Sequence, residues 1–428
     1  MSNIIDTDLL TSKIKKSLDL LRSTYRSKDG KGGWYHYLDS ENPGPTASAV
    51  GLMTFKLAKV HFEHSNEVLA FLKSKQIHSS DPRKNGGWAI SVLPEQPTLE
   101  ASGWVIKGLG EIRPYMSPDS PDIFSAYNWL VANKNDDHGW GSFYGQPSRT
   151  YLTCMALRAI AAIDPFSETL LLGQKWLLEN INKNLPVWGA TVSSPPTILH
   201  TAFVLITIAE LNLGFDRKTT GDAIEWLTRE LKPDTLVEAE SLVEDYDISY
   251  ETGNNKSKYQ NSLPHYALPV AISALLHHEN SLNKNVVYEG LLNIANAQHS
   301  NGYWENARNP TRISIWAIWP FLNTLFDAID LPVLAQAKSV TKISSSIIIK
   351  TSKARTPLIF LLVVDFFILS FEFLKAYWSA FVLLGFVLLG LLLTTLGFIG
   401  LKEYILSLIF PVILIFVQLS LERRQLKK

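Results

Sequence analysis

The 428-residue sequence has one cysteine, no excess of charge of either sign, and none of several common catalytic motifs. The single Cys154 excludes an intrachain disulfide framework and any zinc finger built on paired cysteines. The 40 basic residues are matched by 40 acidic ones, so the chain lacks the surplus of Lys and Arg on which nucleic-acid binding depends. P-loop, G-x-G-x-x-G, H-E-x-x-H and G-x-S-x-G motifs are absent too. Nucleic acid is therefore not an expected partner.

Long apolar runs are confined to the C-terminal tail. Residues 376–400 carry no charge over 25 positions, and a helix of that length measures about 37 Å, more than the hydrocarbon core of a bilayer at about 30 Å. Residues 404–421 add 18 apolar positions, whose single proline is tolerated in membrane helices. We predict two transmembrane spans there. The shorter stretch 357–371 contains Asp365 and either lies in the membrane interface or forms a third span.

Basic residues on both sides of these runs predict their orientation. The tail has nine basic and four acidic residues, with basic clusters at 350–355 and 423–428. Basic residues near membrane ends prefer the cytoplasm, so both clusters lie inside only if the number of spans is even. The N-terminus lacks the apolar stretch of a secretory signal. We expect an integral membrane protein with a cytoplasmic domain at 1–335, a linker at 336–356 and a membrane domain at 357–424.

A tryptophan beside glycine recurs through the first 335 residues. The intervals between copies are 54, 52, 48 and 116 residues, so the longest interval contains one degenerate copy, near residues 244–247. Such a period predicts an array of repeated helical hairpins. The five clear copies contain Trp34, Trp88, Trp140, Trp188 and Trp304.

After each Gly/Trp loop the sequence continues into a helix that is apolar almost all round, which predicts burial on both faces. Amphipathic helices lie between these apolar ones and are expected to form an outer layer. The sixth apolar helix is as apolar as the others, so we predict a closed ring instead of an open array with polar ends. The predicted fold is all-α, an (α/α)6 toroid followed by C-terminal transmembrane helices. The expected N-caps of the inner helices are Thr46, Thr98, Thr150, Thr197 and Thr311.

Two of the repeats also contain glutamine, and these resemble a known family. Gln76 before Trp88 and Gln298 before Trp304 look like the QW repeats of squalene and terpene cyclases and of protein prenyltransferase β subunits. The resemblance covers about residues 5–330 and implies the α/α-toroid of the terpenoid cyclase and protein prenyltransferase superfamily. We expect the Trp and Gln side chains to tie loops to the ends of outer helices and to take no part in chemistry.

The acid motif that this resemblance implies for cyclisation is missing. Class II terpene cyclases protonate an alkene with a D-x-D-D motif, because an isolated alkene needs a strong, preorganised acid. The nearest string is Glu244-Asp245-Tyr246-Asp247, with Ile248 at the position of the final Asp, and we predict a solvated loop there. Squalene-type cyclisation is therefore not expected.

The zinc ligands of protein prenyltransferases are matched only in part. Cys154 and His200 resemble two of that family's ligands, but Leu152 stands at the position of the Asp. Counted from the predicted caps, Cys154 and His200 lie near one rim, and Glu100 on the preceding inner helix is a candidate third ligand. These three residues are also the candidate catalytic residues. The alternative, which we favour, is that Cys154 packs as a small apolar residue, that His200 is a hydrogen-bonded spacer, and that no zinc binds.

A toroid of this kind suits an amphiphilic ligand. The N-termini of six inner helices give one rim a partial positive charge, and an apolar bore below that rim fits an isoprenoid with an anionic head, such as a prenyl diphosphate. Arg149 and Arg312 are the candidate substrate-binding residues, because guanidinium groups bind phosphate through paired hydrogen bonds. In the alternative, side chains fill the bore and both arginines are simply solvated.

Two functions therefore remain open. In the first, the chain is a membrane-tethered, terpene cyclase- or prenyltransferase-like toroid that accommodates an isoprenoid or related lipid, with or without catalysis. In the second, the toroid is catalytically inactive and acts as a binding or sensing module that controls the membrane hairpin, a role that the missing D-x-D-D and zinc Asp favour. Membrane lipid or an isoprenoid is the expected partner in both, and a protein partner fits the second.

Overall fold

A computed structural model of the chain describes residues 6–40, 42–90, 93–112, 120–182, 184–231, 243–252, 255–278, 284–305 and 311–330. The linker and all the membrane segments predicted from the sequence lie outside these residues. Within the described ranges, no helix has the length and apolar character that crossing a bilayer requires.

Twelve α-helices and two β-hairpins make up the described residues, and the helices alternate between two kinds. The odd-numbered helices are α1 (Thr7–Thr24), α3 (Ser65–Lys75), α5 (Ile123–Ala132), α7 (Glu168–Glu179), α9 (Arg217–Glu230) and α11 (Lys284–Asn296). The even-numbered helices are α2 (Pro45–Leu57), α4 (Leu99–Ile112), α6 (Thr150–Ile163), α8 (Ile198–Leu211), α10 (Ala267–His277) and α12 (Ile315–Asp330). The hairpins pair β1 (Arg26–Lys28) with β2 (Lys31–Gly33) and β3 (Val243–Thr252) with β4 (Asn255–Pro264).

The even-numbered helices pack side by side in one closed cycle. Each contacts the next along the chain from α2 to α12, and α12 returns to contact α2. Most of their residues are buried, whereas the odd-numbered helices pack outside them, for example α3 on α2 and α5 on α4. Helix α1 completes the outer layer by contacting both α2 and α12. The alternation of outer and inner helices and the closure of the ring, both predicted from the repeats, are confirmed.

Four Gly/Trp loops are held by the same set of hydrogen bonds, which the loop of Trp88 illustrates, and the loop of Trp304 shares the indole bond. The indole Nε1 donates to Leu72 O, near the end of the preceding outer helix, at 2.8 Å. The Trp88 backbone N–H donates to Ser102 Oγ in the next inner helix at 2.8 Å, and Trp88 O accepts from the N–H of Thr98 at 3.0 Å. The same indole bond is made by Trp34, Trp140, Trp188 and Trp304. The tryptophans therefore tie loops to outer helices, as predicted.

The two glutamines connect neighbouring repeats. Gln76 Nε2 donates to Asp122 O at 2.8 Å, and Gln76 Oε1 accepts from Asp122 N at 2.8 Å, at the start of α5. Gln298 Nε2 donates to Lys13 O and to Ser17 Oγ, each at 2.9 Å, in α1. The hydrogen bonds of Gln298 join the last repeat to the first, so this residue helps to close the ring.

The predicted threonine caps are correct only in part. Thr197 caps α8, because its Oγ1 accepts from His200 N at 3.2 Å. Thr150, in contrast, is the first residue inside α6, where the cap position belongs to Arg149. Gly44 likewise takes the cap position before α2, and α12 begins at Ile315, four residues after Thr311.

A different hydroxyl recurs in the repeats, and the sequence prediction missed it. It lies four residues after the cap position and accepts a hydrogen bond from the backbone N–H of the loop tryptophan. The residues at this position are Ser48, Ser102, Thr153 and Thr201. These Ser and Thr residues therefore serve mainly to bind the preceding loop, and not to cap the helix.

We expect Trp188→Phe to lower the free energy of unfolding by about 2 to 4 kcal/mol. The substitution removes the 2.8 Å bond from Nε1 to Leu177 O, leaves a buried carbonyl without that donor, and opens space in the core. Trp226→Phe, at a half-buried position on outer helix α9, is the matched control and should cost under about 1 kcal/mol. Urea unfolding followed by circular dichroism measures both, and equal losses would contradict the structural role of the loop tryptophans.

Candidate functional site

A long hairpin, β3–β4, takes the place of the degenerate fifth loop. Its two strands pair antiparallel, with Glu244 opposite Leu263. The prediction of a solvated loop at residues 244–247 is therefore wrong. Glu244 and Ile248 are buried while Asp245 and Asp247 are exposed, the alternation of a strand with one buried face. That two-residue period was the available signal, and the four polar residues 244–247 obscured it.

Glu244 fastens the hairpin to the rim where the inner helices begin. Its Oε1 accepts a hydrogen bond from Arg149 Nε before α6, and its Oε2 accepts from His200 Nε2 in α8 at 3.2 Å. His265 Nε2 lies 3.4 Å from the same Oε2, but without hydrogen-bond geometry. The Arg149 guanidinium also lies 4.2 Å from the centre of the Tyr246 ring. One buried carboxylate therefore joins three segments of the rim to the hairpin.

The ionisation of this cluster follows from its burial and its charges. Burial alone would raise the pKa of Glu244, but His200 and His265 beside the carboxylate outweigh that effect and hold the pKa well below its ordinary value of 4.5. Burial lowers the pKa of His265 from its ordinary value. Glu244 therefore stays ionised at neutral pH and pairs with Arg149.

Glu100, the candidate third zinc ligand, contacts the hairpin on its other side. Its Oε1 accepts from Tyr246 OH, from Ser142 Oγ at 2.5 Å and from Asn261 Nδ2 at 3.1 Å. Its Oε2 is buried and has no hydrogen-bond partner among the described residues. Trp316 Nε1 of α12 donates to Pro264 O at 2.8 Å, so the hairpin contacts inner helices on opposite sides of the ring. It therefore lies across the N-terminal rim.

The structure gives the three candidate metal ligands different neighbours. Cys154 is buried beside Thr207 of α8, which is seven residues, or about 10 Å of helix, beyond His200. His200 instead contacts Thr197 Oγ1 at 2.7 Å and Glu244. Burial raises the pKa of Cys154 to about 12, which disfavours the thiolate that binds metals. No group of three His, Cys, Asp or Glu side chains suited to a metal occurs in the part of the chain that the structure describes. The absence of zinc stays a prediction.

Both candidate substrate-binding arginines already face carboxylates. Arg149 pairs with Glu244, and Arg312 Nη2 lies 2.8 Å from Asp39 Oδ1, with its guanidinium 3.9 Å from the centre of the Tyr37 ring. Neither arginine lines the central cavity. Their role as a diphosphate clamp stays a prediction that these pairings do not favour.

A cavity lies at the centre of the ring, among the inner helices α4, α6, α8, α10 and α12. Its free volume is about 40 Å³, which is space for a few water molecules, and it is partly open to solvent. Trp104 meets Trp316 and Trp319 edge to face, with ring centroids 5.5 and 5.8 Å apart, so α4 and α12 touch across the bore and narrow it. The bore is therefore narrow, and a ligand larger than a few water molecules requires these side chains to move apart. The aromatic lining consists of Trp104, Tyr151, Phe203, Tyr266, Trp316 and Trp319.

The cavity becomes polar with depth. Arg158, Ser273 and Asn323 each lie seven residues after an aromatic lining residue, namely Tyr151, Tyr266 and Trp316. Because all the inner helices begin at the same rim, this spacing places a polar layer about 10 Å below an aromatic one. We call the residues Arg158, Ser273, Asn323 and Thr324 the polar floor.

A buried ion pair supports the polar floor. Arg158 Nε and Nη2 donate to the two oxygens of Glu210 at 2.6 and 2.5 Å, and Lys107 Nζ lies 3.9 Å from Glu210 Oε2. Burial would raise the pKa of Glu210, but the charges of Arg158 and Lys107 and the Arg158 hydrogen bond lower it to about 2. The glutamate therefore stays ionised at neutral pH.

We expect the free energy of unfolding to fall as the pH drops from about 4.5 to about 2, because the pKa of Glu210 is lower in the folded than in the unfolded chain. The unfolded state takes up the proton first, and Glu210 contributes up to about 3 kcal/mol to this loss. Glu210→Gln should flatten the profile over that range, whereas Glu179→Gln, in an exposed pair with Lys175, should not. Chemical denaturation at several pH values measures this, and parallel profiles for both variants would contradict it.

Comparison with known proteins supports the fold. No protein-family model matches the chain, and no curated protein matches it. Ligand-free type II terpene cyclase MstE from Scytonema matches with a TM-score of 0.51 and 15% identity, over 76% of this chain and 99% of that one. A variant of that enzyme in complex with the substrate geranylgeranyl dihydroxybenzoate matches with a TM-score of 0.50 and 14% identity, over 75% and 98%. A variant with the product merosterolic acid A gives 0.50 and 16%, over 75% and 97%. The described chain therefore has a terpene cyclase-like, helix-rich fold.

Proposed function

We propose that the toroid binds an isoprenoid or a related apolar lipid in its central cavity. The observation that carries this proposal is the lining, in which six aromatic side chains surround a narrow space at the centre of the ring. Aromatic rings offer a large apolar area at little cost in side-chain entropy, and their faces pack well against branched hydrocarbon chains. A protein of the same fold binds geranylgeranyl dihydroxybenzoate, which is consistent with this choice of ligand.

Binding without cyclisation is the form of this function that the carboxylates favour. An acid that protonates an alkene must hold its proton at working pH. Glu244 and Glu210 instead have lowered pKa values and pair with Arg149 and Arg158. Asp245 and Asp247 are exposed on the outer face of the hairpin, away from the cavity side. We therefore favour a lipid-binding or lipid-sensing module over a cyclase, with catalysis of another kind as the alternative.

We further propose that residues 376–400 and 404–421 tether this toroid to a membrane, with residues 1–335 in the cytoplasm. The support is the sequence alone: two uncharged runs of sufficient length and basic clusters on both sides of them. A tether of this kind would keep the cavity near a supply of lipid. It would also let ligand binding in the toroid influence the membrane segments, which is the sensing role.

A protease-protection experiment tests the tether. In sealed membrane vesicles that expose the cytoplasmic face, tags placed at residue 1 and after Lys428 should both be digested, since an even number of spans returns the chain to its starting side. Digestion of only one tag would establish an odd number of spans and make 357–371 a crossing. Recovery of the whole protein in the salt-washed supernatant would contradict the tether.

Ligand binding is tested by filling the cavity. Val270→Phe places a larger side chain in the lining and should weaken binding of geranylgeraniol at least tenfold, as measured by native mass spectrometry of the purified chain in detergent. Val192→Phe makes the same change at a position that is 66% exposed and should leave binding unchanged. Unchanged binding in Val270→Phe, with a melting profile like that of the parent protein, would mean that the cavity is not the site.

A further inference from the structure

The charge around the cavity bears on which isoprenoid fits it. At the N-terminal rim, Arg149 pairs with Glu244, which also has His200 and His265 beside it. A second carboxylate, Glu100, accepts a hydrogen bond from Tyr246 OH. A prenyl diphosphate carries more than one negative charge, and burying it requires cations that are free to pair with it. The rim does not offer that surplus.

The deep end of the cavity is balanced in the same way. Lys107 and Arg158 face Glu210, and Asp327 lies close by, where it accepts from Ser273 Oγ and from Asn323 Nδ2 at 3.1 Å. His277 Nε2 is 3.7 Å from Asp327 Oδ2. Carboxylates therefore match the lysine and arginine side chains at this end, and an added anion would meet Glu210 and Asp327 with no unpaired positive charge among the described residues.

The polar floor nevertheless has hydrogen-bonding capacity left over. Arg158 uses Nε and Nη2 on Glu210, so Nη1 is its remaining nitrogen. Asn323 donates through Nδ2 to Asp327, which leaves Oδ1 as an acceptor. Ser273 donates its hydroxyl proton to Asp327, and its oxygen can still accept a hydrogen bond. The floor thus combines a donor with acceptors at one depth, the complement of a hydroxyl group, which both donates and accepts.

We propose that the ligand is a neutral isoprenoid alcohol, with its hydroxyl on the polar floor and its hydrocarbon chain among the aromatic residues above. This inference rests on the proposed lipid-binding function and specifies the chemistry of its ligand. A hydrocarbon would leave the floor groups dry and unsatisfied, whereas a hydroxyl satisfies them. A diphosphate would place its charge beside paired carboxylates.

The test compares three probes that share one isoprenoid chain: geranylgeraniol, geranylgeranyl diphosphate and the hydrocarbon of the same length. Dissociation constants are measured on the full chain in detergent by native mass spectrometry. We expect the alcohol to bind about tenfold more tightly than the hydrocarbon and at least tenfold more tightly than the diphosphate. A diphosphate that binds as well as the alcohol, or a hydrocarbon that does, overturns the inference while leaving lipid binding intact. Failure of all three probes to bind would refute the proposed function itself.

Substitutions in the polar floor test whether the hydroxyl of the ligand binds there. Asn323→Leu removes the acceptor at similar volume and should abolish the preference for the alcohol while leaving the affinity for the hydrocarbon within about twofold. Ser273→Ala is a milder change that should reduce the preference in the same direction if Asn323→Leu fails to fold. Asn128→Leu, on the exposed face of α5, is the matched control and should keep the preference. A preference for the alcohol that survives both floor variants would place the hydroxyl elsewhere.

Discussion

The hydrogen bonds of the loop tryptophans determine where each inner helix begins along the axis of the ring. A helix end leaves backbone carbonyls without partners, and each indole N–H satisfies one of them on an outer helix. The backbone of the same tryptophan then bonds to a hydroxyl of the next inner helix. Because these bonds repeat with one geometry, corresponding residues of the inner helices lie at one depth. The aromatic layer and the polar floor of the cavity depend on that common register.

Local features of the sequence predicted the fold better than the site. The repeat of Trp beside Gly and the apolar character of six helices are local patterns in the sequence. They were sufficient to predict the ring and its closure. The hairpin was missed because the four polar residues from Glu244 to Asp247 suggest a loop, while the alternating burial depends on docking across the rim. The helical position of Cys154 was also predicted only approximately, since Arg149, not Thr150, occupies the cap position of α6 and Cys154 therefore lies one residue further along the helix.

The partners of charged residues were the least predictable feature. Arg149 pairs with Glu244 over 95 positions of sequence, and Arg158 pairs with Glu210 over 52. Nothing in the local sequence of either arginine indicates a partner so distant. Yet these pairs decide the chemistry, because a guanidinium that is neutralised by a buried carboxylate has little to offer a phosphate, and the carboxylate it stabilises cannot act as a strong acid. The sequence left Arg149 available to a ligand, whereas the fold pairs it with Glu244.

The contact between the first and the last helices of the ring affects the order of folding. Helix α1 receives its bonds from Gln298 and packs on α12, about 300 residues later in the chain. During synthesis the first helix therefore waits for its final neighbour until nearly the whole toroid has been made. Contacts of such long range close slowly, because a large loop must be ordered before they form. Until then the apolar flank of α2 that α12 later covers is open to solvent, and this stage is where we expect the nascent chain to depend most on chaperones.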